Sequence, residues 1–184
     1  STSTSGGFPG SVDTSSYAVT AASFTMNFGA FYARTSTITL NGNLKMSSGT
    51  FTAGASSITV TGDFVENEGL FYANTSSMTI RGNWTISNGI FFASTSFLTV
   101  GGNFSADVFS SKFVSGSESI NLTGTSKTFL TKDANTGGPS FNIVMISGNI
   151  TNNTQGAWGM GTLNVSGTLT MNSWDHVRLR YGGK

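Results

Sequence analysis

The sequence predicts an all-β fold, a parallel β-solenoid wound in coils of about 20 residues, and three observations predict it. First, four successive 20-residue segments repeat the same slots: Gly29/49/69/89, Phe31/51/71/91, Ala33/53/73/93, Ser36/56/76/96, Thr39/59/79/99 and Gly42/62/82/102. A repeat this short and regular means stacked, equivalent turns of chain. Second, apolar residues alternate within each repeat: Ile38, Leu40, Leu44 and Met46 are separated by Thr39, Asn41, Asn43 and Lys45. That period of two marks strands with one buried face. Third, β-branched residues and Gly dominate and no 3.6-residue period appears, which argues against helix. A propeller blade needs about twice this period, and a leucine-rich repeat would show its Leu/Asn pattern. An antiparallel sandwich does not require like side chains in register, whereas a solenoid stacks Phe on Phe and Thr on Thr. Right-handed winding is expected from crossover preference.

The elements follow in order. Residues 1–16 are Ser/Thr/Gly-rich, lack core periodicity and are expected to form an extended N-terminal arm. Residues 17–184 are expected to form one solenoid domain of about eight coils. Regular coils span 18–124, and irregular coils with a C-terminal strand span 125–184. In each coil the first strand points Phe31 and Ala33 inward and Tyr32 and Arg34 outward. Gly29 marks one corner. Gly42 marks another, on the expectation that it adopts backbone angles other residues avoid. Upstream, Ala22, Phe24 and Met26 take the slots of Gly42, Leu44 and Met46. Downstream, Phe113, Ile120, Leu122 and Gly124 fit after a two-residue insertion. Ile146, Gly148 and Ile150 follow, then Val165, Gly167 and Leu169. Residues 132–140 (KDANTGGPS) break the pattern and are expected to leave the coil.

Composition narrows the function classes. Charged residues are 9% of the chain and aromatics 12%, against ~25% charged in ordinary globular proteins. Aromatic content with little charge argues against disorder. A net charge of +1 gives no electrostatic case for nucleic acid or an anionic membrane. No stretch approaches the ~20 apolar residues of a membrane span. Cys is absent, which decides little about compartment. The polar start STSTSGGFPG shows neither a basic region nor an apolar run, and reads as a mature secreted N-terminus.

The motif G-N-F/W-x-x-x-x-G-x-F-x-A-x-x-S-x-x-T-V-x-G, clearest in residues 82–102 (GNWTISNGIFFASTSFLTVGG), resembles repeats of secreted β-solenoid surface proteins. Filamentous-haemagglutinin-like and autotransporter-like proteins are the nearest such family. The resemblance covers residues 18–124 well and the rest weakly. It implies the fold and an extracellular, cell-surface setting, and it transfers no functional residues.

Seven Asn residues begin N-x-S/T triplets and are candidate glycosylation acceptors: Asn74, Asn83, Asn103, Asn121, Asn149, Asn152 and Asn164. Asn83, Asn103 and Asn149 share one slot after a corner Gly. They should point outward, because Trp84, Phe104 and Ile150 beside them point in. The structural alternative is an Asn ladder bonded from coil to coil. A glycan would solubilise a surface short of charge.

Outward Tyr32, Tyr72 and Phe92 share a column broken by Thr52, and are candidates for lateral or sugar contact; an aromatic stack within the rod surface is the bland alternative. The Thr39/59/79/99 column fits a pleated outer face, or less simply a crystalline lattice such as ice or polysaccharide. Catalysis has little to stand on. His176, the one His, lies in an alternating basic stretch, residues 174–181. Asp63, Glu66 and Glu68 form the one acidic cluster. Paired carboxylates serve glycoside hydrolysis, but two of the three read more simply as charges on a turn. With no Cys and one His, neither a metal nor another cofactor is indicated.

The expectation is therefore an extracellular structural protein, not an enzyme, joined head to tail with copies of itself by strand addition. Neither terminus shows an amphipathic capping helix. Candidate assembly residues are Tyr17, Val19 and Phe24 at one end and Val177, Leu179 and Tyr181 at the other. The alternative is a carbohydrate-binding adhesin or fibre module of a larger surface or viral tail protein. A polysaccharide-cleaving enzyme is third.

Overall fold

A computed structural model describes residues 10–107, 112–132, 140–152, 157–171 and 176–179. The described chain is all-β and winds as a β-solenoid of about 7 turns, against about eight expected. Three parallel sheets form its sides. Sheet A stacks six strands, from Ser11–Asp13 through Ala30–Tyr32 and Leu70–Tyr72 to Lys112–Val114. Sheet B stacks nine, from Val19–Ala21 through Thr37–Leu40 to His176–Leu179. Sheet C stacks eight, from Phe24–Met26 through Trp84–Ile86 to Thr168–Met171.

Register follows the repeat. Phe31 pairs with Phe51, Phe51 with Phe71, and Phe71 with Phe91; Thr39 pairs with Thr59, Thr59 with Thr79, and Thr79 with Thr99. The Phe rings stack, 4.7 Å apart between Phe51 and Phe71 and 5.0 Å between Phe71 and Phe91. Each such ring removes an aromatic side chain from water, worth about 1.5–3 kcal/mol, and stacking adds about 0.5–1.5 kcal/mol. The two-residue insertion is accommodated as expected: Phe91 pairs with Phe113 and Leu98 with Ile120.

The two kinds of corner glycine have different causes. Gly69 has φ +95°, a left-handed conformation that other residues adopt at a cost. Gly82 does not share it. There a Cβ would lie 2.5 Å from the Gly62 carbonyl oxygen, so close approach of the preceding coil excludes a side chain. The expectation of unusual backbone angles at the Gly42/62/82/102 slot is thus corrected to one of space.

Part of the stretch expected as an arm joins sheet A, and residues 1–9 lie outside the described residues. Ser11–Asp13 pairs in parallel with Ala30–Tyr32, placing Val12 in the Phe31 file. Three residues are too few to carry a readable alternation.

Past Lys112–Val114 the cross-section changes. Sheets B and C continue, and the sheet B strands lengthen to Ser140–Ile146 and Ala157–Val165. Phe141 packs against Phe113 at 4.8 Å, so the long strand supplies the next apolar group above the sheet A file. Glu118 sits at this junction, in the slot of Ser36, Ser56, Ser76 and Ser96, and is fully buried. Its carboxylate accepts from Ser115 Oγ (3.0 Å), the Gly116 amide (2.7 Å) and the Asn142 amide (2.8 Å). Most of the expected 132–140 excursion, residues 133–139, lies outside the described residues.

Candidate functional site

The surfaces with functional potential are the two poles, one corner ladder and the outer face of sheet A. At the poles, core files end without a covering coil among the described residues. Val12 terminates the Phe file and is 55% exposed, whereas Phe51 two coils on is buried. At the far pole Val165 follows Ile146 in its file and is 46% exposed. Met171 ends the file of Phe104, Phe129 and Asn152 and is 40% exposed. Among the described residues, Ser11–Asp13, Val19–Ala21 and Phe24–Met26 at one pole, and Thr168–Met171 and His176–Leu179 at the other, have a sheet partner on one side only.

The candidate assembly residues divide accordingly. Tyr17 is 80% exposed beside the first pole. Val19 and Phe24 are partly buried and pack on the core; the Phe24 ring lies edge-on to Phe31 at 5.0 Å. They form the end plate of the rod instead of a free arm. Val177 and Leu179 lie on the last sheet B strand, pairing through backbone with Trp158 and Met160. Tyr181 lies outside the described residues.

At the corner between sheets B and C, side chains form a ladder. The Asn43 amide donates to Ser23 Oγ (3.2 Å), the Asp63 amide to Asn43 Oδ1 (2.8 Å) and the Asn83 amide to Asp63 Oδ1 (2.7 Å). The Asn103 amide then donates to Asn83 Oδ1 (2.9 Å), and the Thr128 amide to Asn103 Oδ1 (2.9 Å). The corner is too tight for backbone alone to pair every amide, and a short acceptor side chain one coil below satisfies it. The ladder runs from side chain to backbone, not amide to amide. It uses the oxygen of Asn83 and Asn103, and both residues remain exposed.

The other acceptor candidates scatter. Asn149 and Asn164 are exposed. Asn121 is half-buried and accepts from Ser147 Oγ at 2.9 Å. Asn74 occupies a left-handed turn position, φ 53°. Asn152 is corrected: it is fully buried in the inward file of Phe129, with Nδ2 3.8 Å from Met171 Sδ. Folding closes that acceptor, and the triplet alone carries no information on which way its Asn faces.

On sheet A, Tyr72 and Phe92 stack at 4.6 Å with planes 5° apart. Each ring covers one face of the other, and both are half-buried. Tyr32 lies apart, under the Arg34 guanidinium at 5.2 Å, and Arg34 bonds Asp13 at 2.9 Å. Half-buried Leu70 and Ile90 flank the pair in the neighbouring outward column and were not singled out from sequence.

The acidic cluster disperses. Asp63 belongs to the corner ladder, Glu68 is exposed on a turn, and Glu66 is buried in the core. Glu66 is therefore not a turn charge. It pairs with Met46 and Ile86 in an inward slot, and burial pushes its carboxyl up to about 8. Three carboxylates in three environments do not make an acid–base pair. The His176 side chain lies outside the described part of its strand.

Comparison with known proteins returns no match among family models, curated proteins or solved structures. The likeness to haemagglutinin-like repeats therefore rests on the repeat motif. No helix among the described residues is long and apolar enough to cross a membrane.

Proposed function

We propose that this chain is an extracellular structural subunit that polymerises head to tail into a cell-surface filament. The observation that carries the reading is the pair of apolar end plates: Val12, Val19 and Phe24 at one pole, Val165, Leu169 and Met171 at the other. Each plate is rimmed by parallel-strand edges of the same solenoid. An exposed edge templates further pairing. Contacts between unlike ends do not close on themselves and generate open filaments. The scarcity of charge, 9% of residues, leaves little repulsion between stacked copies. An extracellular setting accords with the repeat resemblance and with exposed acceptor triplets at Asn83, Asn103, Asn149 and Asn164.

Negative-stain microscopy and light scattering across a concentration series test this. Filaments whose length grows with concentration are expected, and Val12→Asp or Met171→Asp should abolish them while leaving the monomer folded. Monodisperse monomers at high concentration, or filaments indifferent to both substitutions, would sink the proposal. The adhesin alternative has less support, because Tyr72 and Phe92 each give one ring face to the other and both are half-buried.

A further inference from the structure

We infer that Glu66 makes its level of the rod, the third of eight sheet C strands from the first pole, a pH-responsive joint, tight when its carboxyl is protonated and loosened when it ionises. This is independent of polymer formation. Glu66 is fully buried, and neither carboxyl oxygen has a hydrogen-bond partner. Its slot is an apolar file: Met26, Met46, Glu66, Ile86 and Ala106 follow one another from coil to coil. The corner glycine of the next turn leaves room for it, as Gly49 does for Met26. A Cβ at Gly89, in the next turn, would lie 2.5 Å from Glu66 Cγ.

Among the described residues, no charge faces it from the strands paired with it. The strand below offers Met46 and the strand above Ile86, while Lys45 and Thr85 turn to the outer face. Asp63 lies in the corner ladder, and Glu68 and Arg81 are exposed. An unpaired buried carboxylate is expensive, so the group keeps its proton instead.

Unfolded, this carboxyl ionises near its ordinary 4.5; buried, it is pushed up to about 8. Between those values the folded chain holds a proton that the unfolded chain has released. Stability from this site is therefore full below 4.5, declines as pH rises, and reaches its floor above about 8. The displacement from 4.5 to about 8 corresponds to roughly a three-thousandfold fall in the folding constant. Above about 8 the ionised carboxylate must reach water, which requires the coils on either side of it to part.

Urea unfolding of the whole chain from pH 4 to 9 is the test, with Glu66→Met and Glu66→Gln alongside. Wild type should lose stability between pH 5 and 8. Both variants should be flat there, and Glu66→Met should exceed wild type above pH 8. Infrared spectra give a second readout: a protonated carboxylic-acid band persisting at pH 7 in wild type and missing from Glu66→Gln. A wild-type profile flat over pH 5–8, variants that keep the slope, or absence of the band at pH 7 would each overturn the inference.

Discussion

Asp63 shows what a single side chain does in this molecule. It accepts from the Asn83 amide while its own amide donates to Asn43, so it links three coils at one corner. Asp63→Ala should leave a corner amide without its partner and cost about 1 kcal/mol. Asp63→Asn keeps an acceptor oxygen and should change stability by less than about 0.5 kcal/mol. Chemical denaturation of the two variants side by side checks both. Equal losses would mean the charge matters and not the bond. Asp13 carries the opposite pH sign to Glu66. Its hydrogen bond from Arg34, with help from the Ser15 amide, holds its carboxyl below the ordinary 3.8. Its contribution is present above 3.8 and is lost as pH falls through the lowered value.

At the scale of the element, the aromatic file of sheet A joins one coil to the next. Phe71 is fully buried, stacked at 4.7 Å on Phe51 and 5.0 Å on Phe91, with Phe64 tilted against it at 5.2 Å. Phe71→Ala would open a cavity that the neighbouring backbones, pinned by coil-to-coil hydrogen bonds, cannot close. A loss of about 3–5 kcal/mol is expected. Phe71→Leu, which keeps most of the volume and gives up the stacking, should lose less. Urea midpoints of the two variants decide, and a similar loss from both would assign the stabilisation to ring stacking over volume. Gly69 and Gly82 belong to the same scale. One is held by backbone conformation, the other by the coil below, and the repeat alone does not separate these reasons.

The whole molecule is quasi-one-dimensional, each coil leaning on its two neighbours. Amide protection should therefore be greatest in the central coils and fall toward Ser11–Asp13 and Thr168–Met171, whose strands have a partner on one side. Hydrogen exchange of the monomer measures this gradient. In the polymer the same two strands should gain protection while the centre is unchanged. Protection gained on the outer face of sheet A, at Leu70–Tyr72 and Ile90–Phe92, would show lateral packing of rods in place of end-to-end joining.

The regular coils were legible in the sequence because stacking in register forces identical environments onto residues 20 apart. Phe31, Ile38, Leu44 and Trp84 could be assigned inward from alternation alone. So could the outward Asn83 and Asn103, whose apolar neighbours fix their direction. Where the repeat fails, so does the inference. Ser11–Asp13 is too short to show a period. Glu118 stands in a Ser slot behind an insertion, and Asn152 takes a Phe slot in a coil of changed cross-section. Glu66 occupies an apolar slot in plain view of the alignment, yet its charge spoke for the surface. Only the packed coils decide that its carboxyl is enclosed, that the corner ladder is satisfied from below, and that both ends of the core are uncovered among the described residues. Local pattern tells a residue which face of its strand it occupies; what covers that face is set by coils distant in the chain.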